Sequence, residues 1–172
     1  MRLSITAIPI LVLSLASPAF SQIAPPVARS LSLSGPRVGT TVLSQGVVNR
    51  LSEQQIAVGS VITQFGWQWE KQFYSTHAGG LTAVTEWVGL LGGLEESVAI
   101  PSLTWMVGLR TRNGTEFGIG PNVTPAGAAL AVAGGVTLRA GVLNIPVNVA
   151  YVPSKAGSRI SVLTGFSLRR FR

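Results

Sequence analysis

The sequence predicts an all-β fold, an antiparallel up-and-down β-barrel of about eight strands with one short helix between the first two. Three observations carry this. The stretch Val61 to Tyr74, VITQFGWQWEKQFY, puts Val61, Phe65, Trp67, Trp69 and Phe73 on one parity and Gln64, Gly66, Gln68, Glu70 and Gln72 on the other; only a strand sends successive side chains to opposite faces. The same alternation recurs along the rest of the chain between short pieces rich in turn residues. Charged residues make up only 11% against 47% hydrophobic, less than half the roughly 25% charge of an ordinary soluble domain. Much of the surface is therefore expected not to face water.

The elements follow in order. Residues 1–21 read as a signal peptide: Arg2 supplies the positive start, Ile5 to Leu15 an apolar core, and Ala19-Phe20-Ser21 the small residues that a signal peptidase requires. Pro9 and Pro18 argue against an N-terminal anchor helix. Residues 22–36, with Pro25-Pro26 and Gly35-Pro36, read as a linker, and residues 37–172 as the barrel domain. Val38 to Leu43 is a short strand candidate. From Ser44 to Gln55 the alternation breaks, and Val47, Val48 and Leu51 take a spacing that suits one face of a short helix, weakened by Gly46.

After Val61 to Tyr74 come Leu81 to Leu91, with Trp87 opposed to Glu86, and Ser97 to Arg110, with Leu103, Trp105, Val107 and Leu109 opposed to Thr104, Gly108 and Arg110. Glu116 to Val123, Gly127 to Arg139, Leu143 to Tyr151 and Arg159 to Arg169 repeat the pattern. The connections THAGG, GGLEES, RNG, TPAG, AGV and PSKAGS suit a meander of hairpins. In the hairpin at Arg112-Asn113-Gly114, a three-residue turn with left-handed Gly114 pairs Arg110 with Glu116 and Leu109 with Phe117. A two-residue turn would instead set Arg110 against Phe117.

Which face looks outward decides the class. An interior of about eight strands cannot take all four tryptophans besides most of the Phe, Ile, Val and Leu. Turned outward, those side chains meet lipid, and the small and polar residues fill the lumen, the pattern of an outer-membrane barrel. The lipid-facing aromatics are then Phe65, Trp67, Trp69, Phe73, Trp87, Trp105, Phe117, Tyr151 and Phe166, with Trp and Tyr contributing to interfacial girdles. The other parity carries Glu70, Glu86, Arg110, Glu116, Arg139, Arg159 and Arg169, expected to form a paired, hydrated charge network across the lumen, because isolated buried charges are costly.

Across roughly Val38 to Arg172 the chain resembles the small eight-stranded bacterial outer-membrane barrels in its signal peptide, repeated alternation and final apolar-alternating strand. ITQFGWQWEKQF, GLTAVTEWVGLLGGLE and EFGIGPNVTPAG are also similar to an uncharacterised family of exported bacterial barrel proteins that carries over no activity. The resemblance implies membrane lipid and the outer-membrane assembly machinery as partners. Members of that class usually end in an aromatic residue on the outward parity, whereas here Phe171 falls on the other.

Little in the sequence points to chemistry. There is no cysteine and no Asp, and His77, the one histidine, lies in the turn STHAGG, so metal-ligand clusters and a triad of Ser75 or Thr76, His77 and Glu70 are poorly supported. No cofactor is expected. The net charge of +7 is not gathered into a basic patch with interleaved aromatics, so no nucleic acid is expected either; a small-molecule ligand is left unassigned. The expected function is non-enzymatic, in envelope structure or interaction at the outer membrane. A soluble periplasmic barrel binding an apolar ligand and a lipid-modifying enzyme are the alternatives.

Overall fold

A computed structural model describes residues 32–76 and 80–168. The signal peptide, most of the linker, His77 and Arg169 lie outside the described residues. The chain forms a closed antiparallel barrel: β1 (Gly35–Leu43), α1 (Gln45–Ser52), β2 (Val61–Ser75), β3 (Leu81–Gly92), β4 (Ile100–Thr111), β5 (Thr115–Thr124), β6 (Gly127–Ala140), β7 (Leu143–Ser154) and β8 (Gly157–Gly165). Each strand pairs with its neighbours in sequence, and β1 pairs with β8 to close the cylinder. Ser167–Leu168 (β9) pairs with β7 in the register that β8 already holds, so it continues β8 past Phe166. Closure leaves none of the eight main strands at the edge of a sheet, the hazard of every open sheet.

The first strand begins earlier than its Gly-Pro start suggests. Gly35 and Pro36 belong to β1 because it is held on both sides, with Gly35 opposite Gln68 and Arg37 opposite Gly165. In β2 the strict alternation fails once: Gln72 pairs with Val84 and Tyr74 with Ala83, leaving Phe73 as the extra residue of a bulge. Phe73 and Tyr74 are accordingly both exposed, as a bulge permits. At the β4–β5 turn Arg110 faces Glu116 and Leu109 faces Phe117, with Gly114 at φ +88°, the left-handed position at which glycine carries no steric penalty.

Between Gln64 and Gln68 on the lumen parity lies Gly66, where an added Cβ would sit 1.9 Å from the Gly89 carbonyl oxygen. The strand bends too tightly there for a side chain, a use of glycine common in barrels. Gly66→Ala is expected to cost about 1–3 kcal/mol by forcing the backbone apart, read as a lower urea midpoint for unfolding in detergent.

α1 covers one end of the barrel. Val47 and Leu51 are buried against Leu43, Val58, Ile62 and Ile100. Gly46, a poor helix former, has a packing reason: a Cβ there would lie 2.0 Å from the Ala156 carbonyl oxygen, so glycine lets α1 rest on the β7–β8 turn. Gln54 Nε2 donates to the Pro125 carbonyl at 2.9 Å, tying the chain just past α1 to the β5–β6 turn.

The short turn Leu94–Glu96 is pinned at the same end. Glu96 accepts from the Gly59 amide at 2.8 and 2.9 Å, and Glu95 accepts from the Thr63 amide at 2.5 Å and its hydroxyl at 2.6 Å. The Thr63 hydroxyl, then its amide, hold the Glu95 carboxyl below the ordinary carboxylate range. A depressed carboxylate stabilises the fold above its unfolded-state value, and that stabilisation is lost as pH falls through the folded-state value. The stability difference between the native chain and Glu95→Gln is therefore expected to be present at neutral pH and to vanish in acid, measured as unfolding midpoints across a pH series.

Candidate functional site

The alternation separates two surfaces. On the outside, the nine aromatics singled out from the sequence are all exposed, between 39 and 59%. Leu103, Val107, Ile119, Leu130, Val149 and Val162 continue the same face. Trp69, Trp87 and Trp105 stand opposite one another across β2, β3 and β4, with the Trp87 and Trp105 ring centroids 6.2 Å apart. Trp105 Nε1 donates to Thr85 Oγ1 at 2.9 Å, which satisfies the indole without water. This row crosses the middle of β3 and β4, whereas Phe73, Tyr74, Phe117 and Phe166 lie toward the strand ends at the opposite rim from α1.

Inside, four of the seven charged residues assigned to the lumen converge. Arg110 donates to Glu70 Oε1 at 2.8 Å and to Glu70 Oε2, and to Glu116 Oε2 at 2.9 Å from Nε and 2.8 Å from Nη2. Glu86 Oε1 is 3.4 Å from the same guanidinium. Glu116 also accepts from Asn148 Nδ2 on β7, so the cluster spans the lumen from β2 to β7. The Arg110 and Glu70 side chains are 4 and 0% exposed. A planar guanidinium suits this role because its fixed fork can engage two carboxylates at once.

Arg159 joins a separate polar layer nearer α1. It donates to Asn122 Oδ1 at 3.0 Å and to Thr124 Oγ1, and Asn122 in turn donates to Ser102 and Thr104 at 3.0 and 2.8 Å. Arg139 is not brought into the lumen: it is exposed and donates to the Arg112 carbonyl at 2.9 Å on the rim, because it lies only one residue from the end of β6.

Arg37, which lies outside the residues that the sequence singles out, is buried on β1. Its guanidinium donates to Gln68 Oε1 at 2.9 Å and to the Leu33 and Pro36 carbonyls at 2.6 and 3.0 Å. The signal was available: Arg37, Thr41 and Leu43 share a parity opposite Val38 and Val42, but the Gly-Pro boundary hid it. Between the two polar layers lies a cavity of about 70 Å³, part apolar and part polar.

Among the described residues, no group of three or more His, Cys, Asp or Glu could hold a metal ion. No helix there is long and apolar enough to cross a membrane, which has no bearing on strands. The fold and its two surfaces define a closed eight-stranded barrel with an apolar outside and a polar, occluded lumen. No protein-family model, no curated protein and no solved structure matches the chain.

Proposed function

We propose that the protein is an outer-membrane β-barrel, exported by way of residues 1–21, with a non-enzymatic role in envelope structure or interaction. The observation that carries this is the outer face, where large apolar side chains are exposed on every one of the eight main strands. Soluble monomers rarely expose contiguous apolar patches beyond a few hundred Å². The strands, of nine to fifteen residues, suit the roughly 9–11 residues that a tilted strand needs to cross a bilayer. A soluble barrel holding an apolar ligand on its tryptophans would need that parity inside, and the tryptophans lie outside.

The lumen supports a structural role over conduction. The Arg110 cluster crosses it, Arg159 crosses it again, and α1 covers one mouth; open pores need many more strands. Membrane lipid and the assembly machinery are the partners this role requires. Expression of the full chain followed by fractionation tests it: the protein is expected in the outer membrane, migrating faster on a gel unheated than boiled. Recovery as a soluble periplasmic protein would overturn the proposal.

A further inference from the structure

Arg159 is a buried cation whose bonding partners are all neutral. It is 6% exposed, and its hydrogen bonds go to Asn122 and Thr124. Among the described residues no carboxylate lies within 4.0 Å of it. A guanidinium has five N–H donors, so these two bonds leave capacity for a further acceptor. Burying a charge without a counter-charge is costly; Arg110 on the same lumen is matched by carboxylates, and Arg37, on the same cavity wall, has an acceptor at each of its three guanidinium nitrogens.

The cavity beside Arg159 has the complementary features. Its wall includes Val88, Leu90, Met106, Ala131 and Leu163, with Glu86 and Arg37 at the end away from α1, and at about 70 Å³ it exceeds several-fold the roughly 10–15 Å³ that one water needs. Gln68, 4% exposed, lines the same cavity, and among the described residues neither its Nε2 nor Asn148 Oδ1, also on the cavity wall, has a hydrogen-bond partner. A cation at one end and an alkyl wall leading away from it match an anion with a short apolar tail.

We propose that the lumen binds a medium-chain fatty-acid carboxylate, its head group on Arg159 beneath α1 and its chain along Val88, Leu90, Met106 and Leu163. The carboxylate supplies the missing counter-charge in a bidentate geometry suited to arginine. The site lies wholly inside the barrel, so it does not depend on whether the outer face meets lipid or water.

Calorimetric titration of the mature chain in detergent with octanoate, octanol and octylamine tests this. Octanoate is expected to bind saturably with one site per barrel, at least tenfold more tightly than octanol, and octylamine not at all. Arg159→Gln is expected to weaken octanoate at least tenfold, and Arg159→Lys, which keeps the charge without the fork, by less. Ala131→Leu, which fills the cavity from β6, is expected to weaken it similarly; Ala150→Val serves if the larger side chain prevents folding. A far-ultraviolet circular dichroism spectrum of strand content equal to that of the unaltered chain shows that each variant is folded. Absence of saturable binding, or equal binding in the folded Arg159→Gln and cavity-filling variants, would overturn the proposal, since uptake into detergent ignores both changes.

Discussion

Arg110→Met is expected to lower the unfolding free energy by about 3–5 kcal/mol, the usual cost of removing one partner from a buried ion pair. Glu70, Glu86 and Glu116 all converge on this guanidinium, and the variant leaves the three carboxyl groups buried together without it. Most of the loss is the penalty of uncompensated burial and not the intrinsic worth of the pairs. Replacing Glu70, Glu86 and Glu116 by Gln in the Arg110→Met background is therefore expected to recover much of it. The exposed pair of Arg50 and Glu53, with side chains 54 and 63% exposed, provides the contrast: Arg50→Ala is expected to change stability by at most about 1 kcal/mol. Urea unfolding in detergent, followed by Trp fluorescence, measures both. A loss at Arg110 no larger than at Arg50 would mean that the lumen is open to water.

Ile119→Arg is expected to cost about 2–4 kcal/mol in a lipid bilayer, the penalty for a cation on the lipid face near the midplane of a barrel. Ile119 lies in the middle of β5, opposite Val107 on β4 and Val132 on β6. Were that face in water, a new surface charge would fall within about 0.5 kcal/mol of neutral. Leu94→Arg is the internal control, because Leu94 is equally apolar and exposed but sits in the turn between β3 and β4, outside the strands. Folding into vesicles, titrated with urea, is expected to penalise the first variant and spare the second.

The barrel was legible because a period of two with bulky residues on one parity leaves a strand no freedom: slipping by one residue exchanges lumen and exterior. The β4–β5 register followed from Gly114 and the charges of Arg110 and Glu116 together. Less legible were features set by distant parts of the chain. Nothing local shows that Phe73 is the extra residue of a bulge, since Phe73 and Tyr74 are both compatible with the outer face. Gly46 weakens its helix for the sake of Ala156, more than a hundred residues away. Parity placed Arg110 and Arg159 on one face but could not divide them between two layers, because height along the axis depends on register around the whole cylinder. Arg139 shares their parity and falls at the rim for the same reason.

The most direct measurement is Trp fluorescence of the protein folded into vesicles whose lipids carry bromine at a known depth on the acyl chain. With Trp69, Trp87 and Trp105 in a row across the outer face, strong quenching by bromine in the hydrocarbon region is expected, and iodide added to the water should quench little. Emission unaffected by brominated lipid but quenched by iodide would contradict a lipid-facing exterior and return these tryptophans to water.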